Sequence, residues 1–243
     1  MPQPVSSERT VFLSTLPASR RERRSATVVG LVFLALFALA APFAQVKLAE
    51  VWAFIPSYQS ALLVNDLITA VLLFAQFVIL CSFPLLLLAS GYLFTALMAV
   101  PHALSFPRLF TLDGLIGAGP QTTAWLYMFW HAGFPLAVIG FALLPDGARV
   151  RRPWAVLGIA CGLVLASVCG ATLLATLGHD LLPVIMRNDG YTPMLPMVTV
   201  VVWSLSLAAM FTLWRRPAKS VLDVWLMVVM AAWLFDIALS AVL

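Results

Sequence analysis

The chain has 243 residues, of which 63% are hydrophobic and only 10% charged, and its mean hydropathy is +1.02. This composition excludes an ordinary soluble domain and leaves lipid as the main solvent, because apolar windows of about 20 residues consume nearly the whole length. The net charge of +4 does not point to nucleic acid, since the cations sit in short clusters beside apolar runs, as topology signals do.

In chain order, residues 1–25 read as a basic cytoplasmic tail and 26–243 as one transmembrane domain. Arg20, Arg21, Arg23 and Arg24 precede the first apolar run. Alanines at 38–41 imitate a signal cleavage site, but the long basic region before the run favours an uncleaved first helix. Windows of membrane-spanning length then predict an all-α, polytopic bundle of about seven helices at 26–43, 58–80, 85–104, 121–144, 154–176, 197–214 and 220–243. Cys81, Cys161 and Cys169 are odd in number and without metal spacing, so they read as small apolar core residues.

Charge orients the bundle. Eleven of the fourteen cations lie in the N-terminal tail and in the turns after the fourth and sixth spans: Arg9, Arg20, Arg21, Arg23, Arg24, Arg149, Arg151, Arg152, Arg215, Arg216 and Lys219. Only Lys47, Arg108 and Arg187 lie on the other side. The positive-inside rule therefore places the N-terminus in the cytoplasm of a bacterial cell, in the inner membrane. An odd number of spans leaves Leu243 outside with no polar tail, which reads as a truncated C-terminus.

Ionisable residues within a span are costly and mark function by default. Asp66 lies about 12 Å into the second span, and His131 about 15 Å into the fourth. With His102 and Asp236 they all fall in the outer half, which predicts a shared polar cavity facing the periplasm. Helical spacing puts Gln59, Asp66, Thr69 and Gln76 on one stripe with Asn65 adjacent. It also aligns Thr95, Met98 and His102, then Tyr127 and His131, then Trp233, Asp236 and Ser240. Trp52, Trp125, Trp154, Trp203 and Trp214 read as interfacial anchors, whereas Trp130 sits beside His131. The ligand-binding candidates are thus Asp66, His102, His131, Asp236, Asn65, Gln59, Tyr58, Trp125, Tyr127 and Trp130. Any one of these is also explained by an interhelical hydrogen bond of about 1 kcal/mol.

Haem or copper is the sharpest cofactor hypothesis, with His102, His131, Met98 and Met128 as ligands. The spacing matches no strong metal motif, however, and the cofactor stays unknown. No HExxH, Walker or Rossmann pattern is present, so the chain does not read as an enzyme. A proton-coupled small-molecule transporter using Asp66 and Asp236, and a purely structural anchor and dimerisation module, remain as alternatives. Gly158 and Gly162 supply a small-xxx-small pair for close helix packing or dimerisation.

Four stretches carry a family likeness: FIPSYQSALLVNDLITAVLLFAQF, ASGYLFTALMAVPHALSFP, QTTAWLYMFWHAGFPLAVIGFALL and KSVLDVWLMVVMAAWLFDIALSAVL. In this order they resemble the MASE4 family of bacterial membrane-associated sensor domains. The turn at 81–84 departs from the family pattern in lacking cations. The resemblance implies a sensory input domain, and together with the polar set it is read as a homodimer in the bilayer that takes an unidentified small ligand. It also implies relay to a cytoplasmic output domain in cis, a GGDEF diguanylate cyclase or a histidine kinase, absent from this chain. Within the matching motifs lie Tyr58, Gln59, Asn65, Asp66, Tyr92, His102, Trp125, Tyr127, Trp130, His131 and Asp236.

Overall fold

Backbone polar groups in a bilayer have no water to bond, so runs this apolar must satisfy themselves as helices. The computed structural model describes residues 12, 16–46, 51–111, 114–187 and 190–240. Arg9, Lys47, Leu243 and the side chain of Ser240 lie outside the described residues. The helices are α1 (Arg20–Ala40), α2 (Phe54–Leu80), α3 (Phe83–Ser105), α4 (Thr122–Leu143), α5 (Pro153–Thr176), α6 (Met194–Arg215) and α7 (Val221–Ser240). Among the described residues these seven are long and apolar enough to cross a membrane. A two-residue antiparallel pair, Met186–Arg187 with Gly190–Tyr191, decorates the α5–α6 connection.

Local chemistry sets the boundaries. α1 begins six residues before the apolar run, because Ser19 and Glu22 form a reciprocal capping box. That box winds the arginines of the expected tail into the first helical turn. Prolines open α3 and α5, where a missing amide hydrogen costs nothing. Cys81 closes α2 in the left-handed region at φ 51°, which reverses the chain within two residues.

The connections gather at two ends. At the arginine-rich end Pro17 bridges Ser220, and Ser82 bridges Arg149. The Arg149 guanidinium also donates to the Leu80 carbonyl. The cation-free turn at 81–84 is thus held against the basic α4–α5 turn. At the opposite end Gln121 links the α3–α4 and α5–α6 connections, donating to the His179 carbonyl at 3.2 Å and accepting from the Ile185 amide at 3.0 Å.

α3 is the central helix, with 56% of its most apolar window buried, against 6% for α1. It packs on α2, α4 and α5; α4 packs also on α6; and α7 lies between α6 and α1. The α3–α4 seam is close because it is lined by glycine. A Cβ on Gly91 would stand 2.6 Å from Ala137 Cβ, and one on Gly133 would stand 2.2 Å from the Phe94 ring. Leu31, Leu34 and Leu39 of α1 and Ile159 and Leu163 of α5 are exposed, as lipid-facing side chains must be. Gly158 and Gly162 also face open space, so they pack no other helix of this chain.

Two of the expected interfacial tryptophans are tied inward instead. Trp125 is buried and donates to the Pro183 carbonyl at 3.1 Å. Trp203, nine residues into α6, donates to the Leu234 carbonyl at 3.3 Å. Trp52, Trp154 and Trp214 are strongly exposed, as anchors are.

Arg216, read from the sequence only as a topology signal, is largely buried and forms an ion pair of 2.7 Å with the fully buried Asp223. It also pairs with the exposed Asp146 and lies 4.9 Å over the Phe141 ring. Asp223 accepts from the Ser220 amide at 2.7 Å and receives the Ser220 hydroxyl at 2.9 Å, capping α7. Removing one partner strands a buried charge. Asp223→Ala is therefore expected to cost about 3–5 kcal/mol, and Asp146→Ala less than about 1 kcal/mol. Thermal unfolding of the detergent-solubilised chain measures both, and equal losses would contradict the assignment.

Candidate functional site

The polar side chains converge in the half of the bundle away from the arginine-rich end. His131 lies nine residues into α4, and Asp236 lies near the far end of α7, which runs the opposite way. The two helices therefore present these residues at one level. His131 Nε2 and Asp236 Oδ2 are 2.9 Å apart, and His131 Nδ1 lies 2.9 Å from the Tyr127 carbonyl one turn earlier. The Tyr127 hydroxyl donates to the same Asp236 Oδ2 at 3.0 Å.

This geometry fixes the proton inventory. A backbone carbonyl can only accept, so His131 Nδ1 carries a hydrogen. The contact between Nε2 and Oδ2 then needs one further proton, borne by the imidazole or by the carboxyl group. In either form the pair is neutral as a whole and Asp236 Oδ1 remains an acceptor. The histidine ring is stacked on Tyr127 at 3.8 Å and tilted against Trp233 at 4.5 Å. Trp233 stands one turn before Asp236, so α7 grips His131 twice.

His102, at the far end of α3, is buried and meets Gln59 of α2, with His102 Nδ1 2.6 Å from Gln59 Nε2. Its ring neighbours are Phe106, Tyr127 and Trp130, the last at 5.6 Å. Two buried polar atoms beside it, Gln59 Oε1 and Trp130 Nε1, make no hydrogen bond among the described residues. Turning the glutamine amide over would only exchange which of its ends is stranded. Buried polar atoms are almost always satisfied, so an orphaned acceptor and an orphaned donor around one histidine mark a place for water or a ligand.

Asp66 belongs to a deeper layer. It stands seven residues, or about 10 Å, along α2 from Gln59. Tyr58 and Asn65 are themselves exposed on the outer face of α2. The structure thus brings together Gln59, His102, Tyr127, Trp130, His131 and Asp236, places Asp66 beneath them, and engages Trp125 elsewhere with the α5–α6 connection.

Met98 and Met128 are buried in an apolar cluster with Leu126, Val202 and Ile237. Among the described residues no three His, Cys, Asp or Glu side chains form a group able to hold a metal ion. Sequence spacing had aligned Trp233 with Asp236 but gave no reason to place it on His131. That contact joins α7 to α4, and helical periodicity within one span carries no information about the facing helix.

With this geometry in place, comparison with known families identifies the chain. The model for MASE4, described as a membrane-associated sensor, integral membrane domain, matches residues 49–243. The chain belongs to that family. It is an integral membrane sensor domain of the multi-pass kind, in contact with the lipid bilayer. No curated protein and no solved structure matches it.

The His131–Asp236 contact predicts energetic coupling. A double-mutant cycle of His131→Ala and Asp236→Ala, read by unfolding in detergent, is expected to return about 1 kcal/mol, the scale of interhelical hydrogen bonds in membranes. Strict additivity would show that the two groups do not support each other.

Proposed function

We propose that this domain receives a small ligand at the cluster around His102 and His131 and relays its presence to a cytoplasmic output domain, a diguanylate cyclase or a histidine kinase, in the natural protein. The observation that carries the reading is the pair of stranded atoms, Gln59 Oε1 and Trp130 Nε1, buried beside His102. They offer an acceptor and a donor to an incoming molecule, and a buried polar atom that gains a partner is relieved of its desolvation cost.

The arginine-rich end faces the cytoplasm by the positive-inside rule, which puts the cluster in the periplasmic half of a bacterial inner membrane. α7 connects the two levels. It holds Asp236 at the cluster and Asp223 at the basic end, thirteen residues or about 20 Å away along the helix. A ligand shifts the bundle only as far as its affinity differs between two packings. The His131–Asp236 link between α4 and α7 is the contact best placed to differ.

In the chain joined to its output domain, His131→Ala is expected to abolish the stimulus-dependent change in output activity while membrane insertion persists. An unchanged response in that variant overturns the reading.

A further inference from the structure

A crevice of about 250 Å³ runs between α1 and α7, open along the side of the bundle, and Asp236 lies in its wall. The rest of that wall is apolar and partly aromatic, with Phe33, Leu36 and Phe37 from α1 and Phe235 and Leu239 from α7. Phe37 and Phe235 stack at 4.9 Å across the junction. Asp236 is thus two-sided. Oδ2 is taken by Tyr127 and His131 on the inner side, while half of the side chain remains exposed.

Four properties of this crevice select its occupant. Both inner hydrogen bonds fall on Oδ2, so among the described residues Oδ1 is left as an acceptor and calls for a donor. The His131–Asp236 pair is neutral in total, so a cation brought into this apolar wall would find no net charge to balance it and would bear its own desolvation. Phenylalanine walls favour a flat ring, and a side opening admits molecules dissolved in lipid. We infer that the crevice binds the head of a lipid-dissolved hydroquinone or simple phenol, whose hydroxyl donates to Asp236 Oδ1 while its ring lies against Phe37 and Phe235.

The inference goes beyond the proposed sensing site beside His102, adding a second opening on the outer side of the His131–Asp236 pair, and it rests on the sensing role only for the effect on output. Half of the crevice comes from α1, which lies outside the family match at 49–243. The oxidised quinone and the dimethyl ether carry only acceptors and would set oxygen against oxygen at Asp236. Occupancy of the crevice then reports whether the lipid-soluble carrier is reduced.

Calorimetric titration of the chain in phosphatidylcholine nanodiscs tests this, run without oxygen against protein-free nanodiscs. A decyl-substituted benzohydroquinone is expected to bind saturably, and at least about tenfold more tightly than the matching quinone or the dimethyl ether, the worth of one hydrogen bond with its buried partner. In Asp236→Leu the acceptor is gone and the volume is kept, so the hydroquinone preference should disappear and the three compounds should bind alike. Phe37→Leu should weaken all three without changing their order. Equal binding of the three compounds to the unsubstituted chain, no saturable binding, a hydroquinone preference that persists in Asp236→Leu, or indifference to Phe37→Leu each overturns the assignment. If hydroquinone binds selectively but output ignores His131→Ala, the signalling reading alone falls; if output depends on His131 and no hydroquinone preference exists, this inference alone falls.

Discussion

Within a bilayer a polar side chain has no water to fall back on, so each one must find its partner in the protein or go without. That constraint selects what is informative in a chain so uniformly apolar. Leucine and valine facing lipid are nearly interchangeable, while the placement of Gln59, His102, His131, Asp223, Arg216 and Asp236 is dictated by one another. The bundle is organised around two such levels. At one, the Arg216–Asp223 pair is closed and satisfied, with Ser220 and the Phe141 ring completing its surroundings. At the other, the histidine cluster is left with unmet hydrogen-bonding capacity.

The two levels differ in how fully their polar groups are bonded. Arg216 pairs with the buried Asp223 and also with Asp146, which ties the α6–α7 turn to the α4–α5 turn. The cluster at the other level keeps polar groups of the same kinds, but among the described residues Gln59 Oε1 and Trp130 Nε1 make no hydrogen bond. α7 contributes to both levels. Its basic end is pinned by its own cap, and its far end is held to α4 through His131, Tyr127 and Trp233.

Much of this was legible in the sequence, for identifiable reasons. The seven spans follow from the length of apolar runs, and the meeting of His131, His102 and Asp236 at one depth follows from alternating helix direction together with the charge bias of the turns. What stayed hidden depends on which helix faces which. Trp125 and Trp203 sit where anchors sit by spacing, yet both donate inward to carbonyls of other segments. Arg216 was indistinguishable from its neighbour Arg215 until the fold put Asp223 beside it. The start of α1 moved because the capping box of Ser19 and Glu22 is local chemistry that a hydropathy window does not weigh.

The glycine seam between α3 and α4 has a mechanical consequence. Where a single methyl group on Gly91 would already collide with Ala137, the two helices have no clearance to slide or roll, and they behave as a stator. α7 meets α4 through few backbone approaches and several long side chains, a coupling that tolerates displacement as a clutch does. Motion started near Asp236 would therefore be carried by the α7 side of the bundle while the α3–α4 pair stays still.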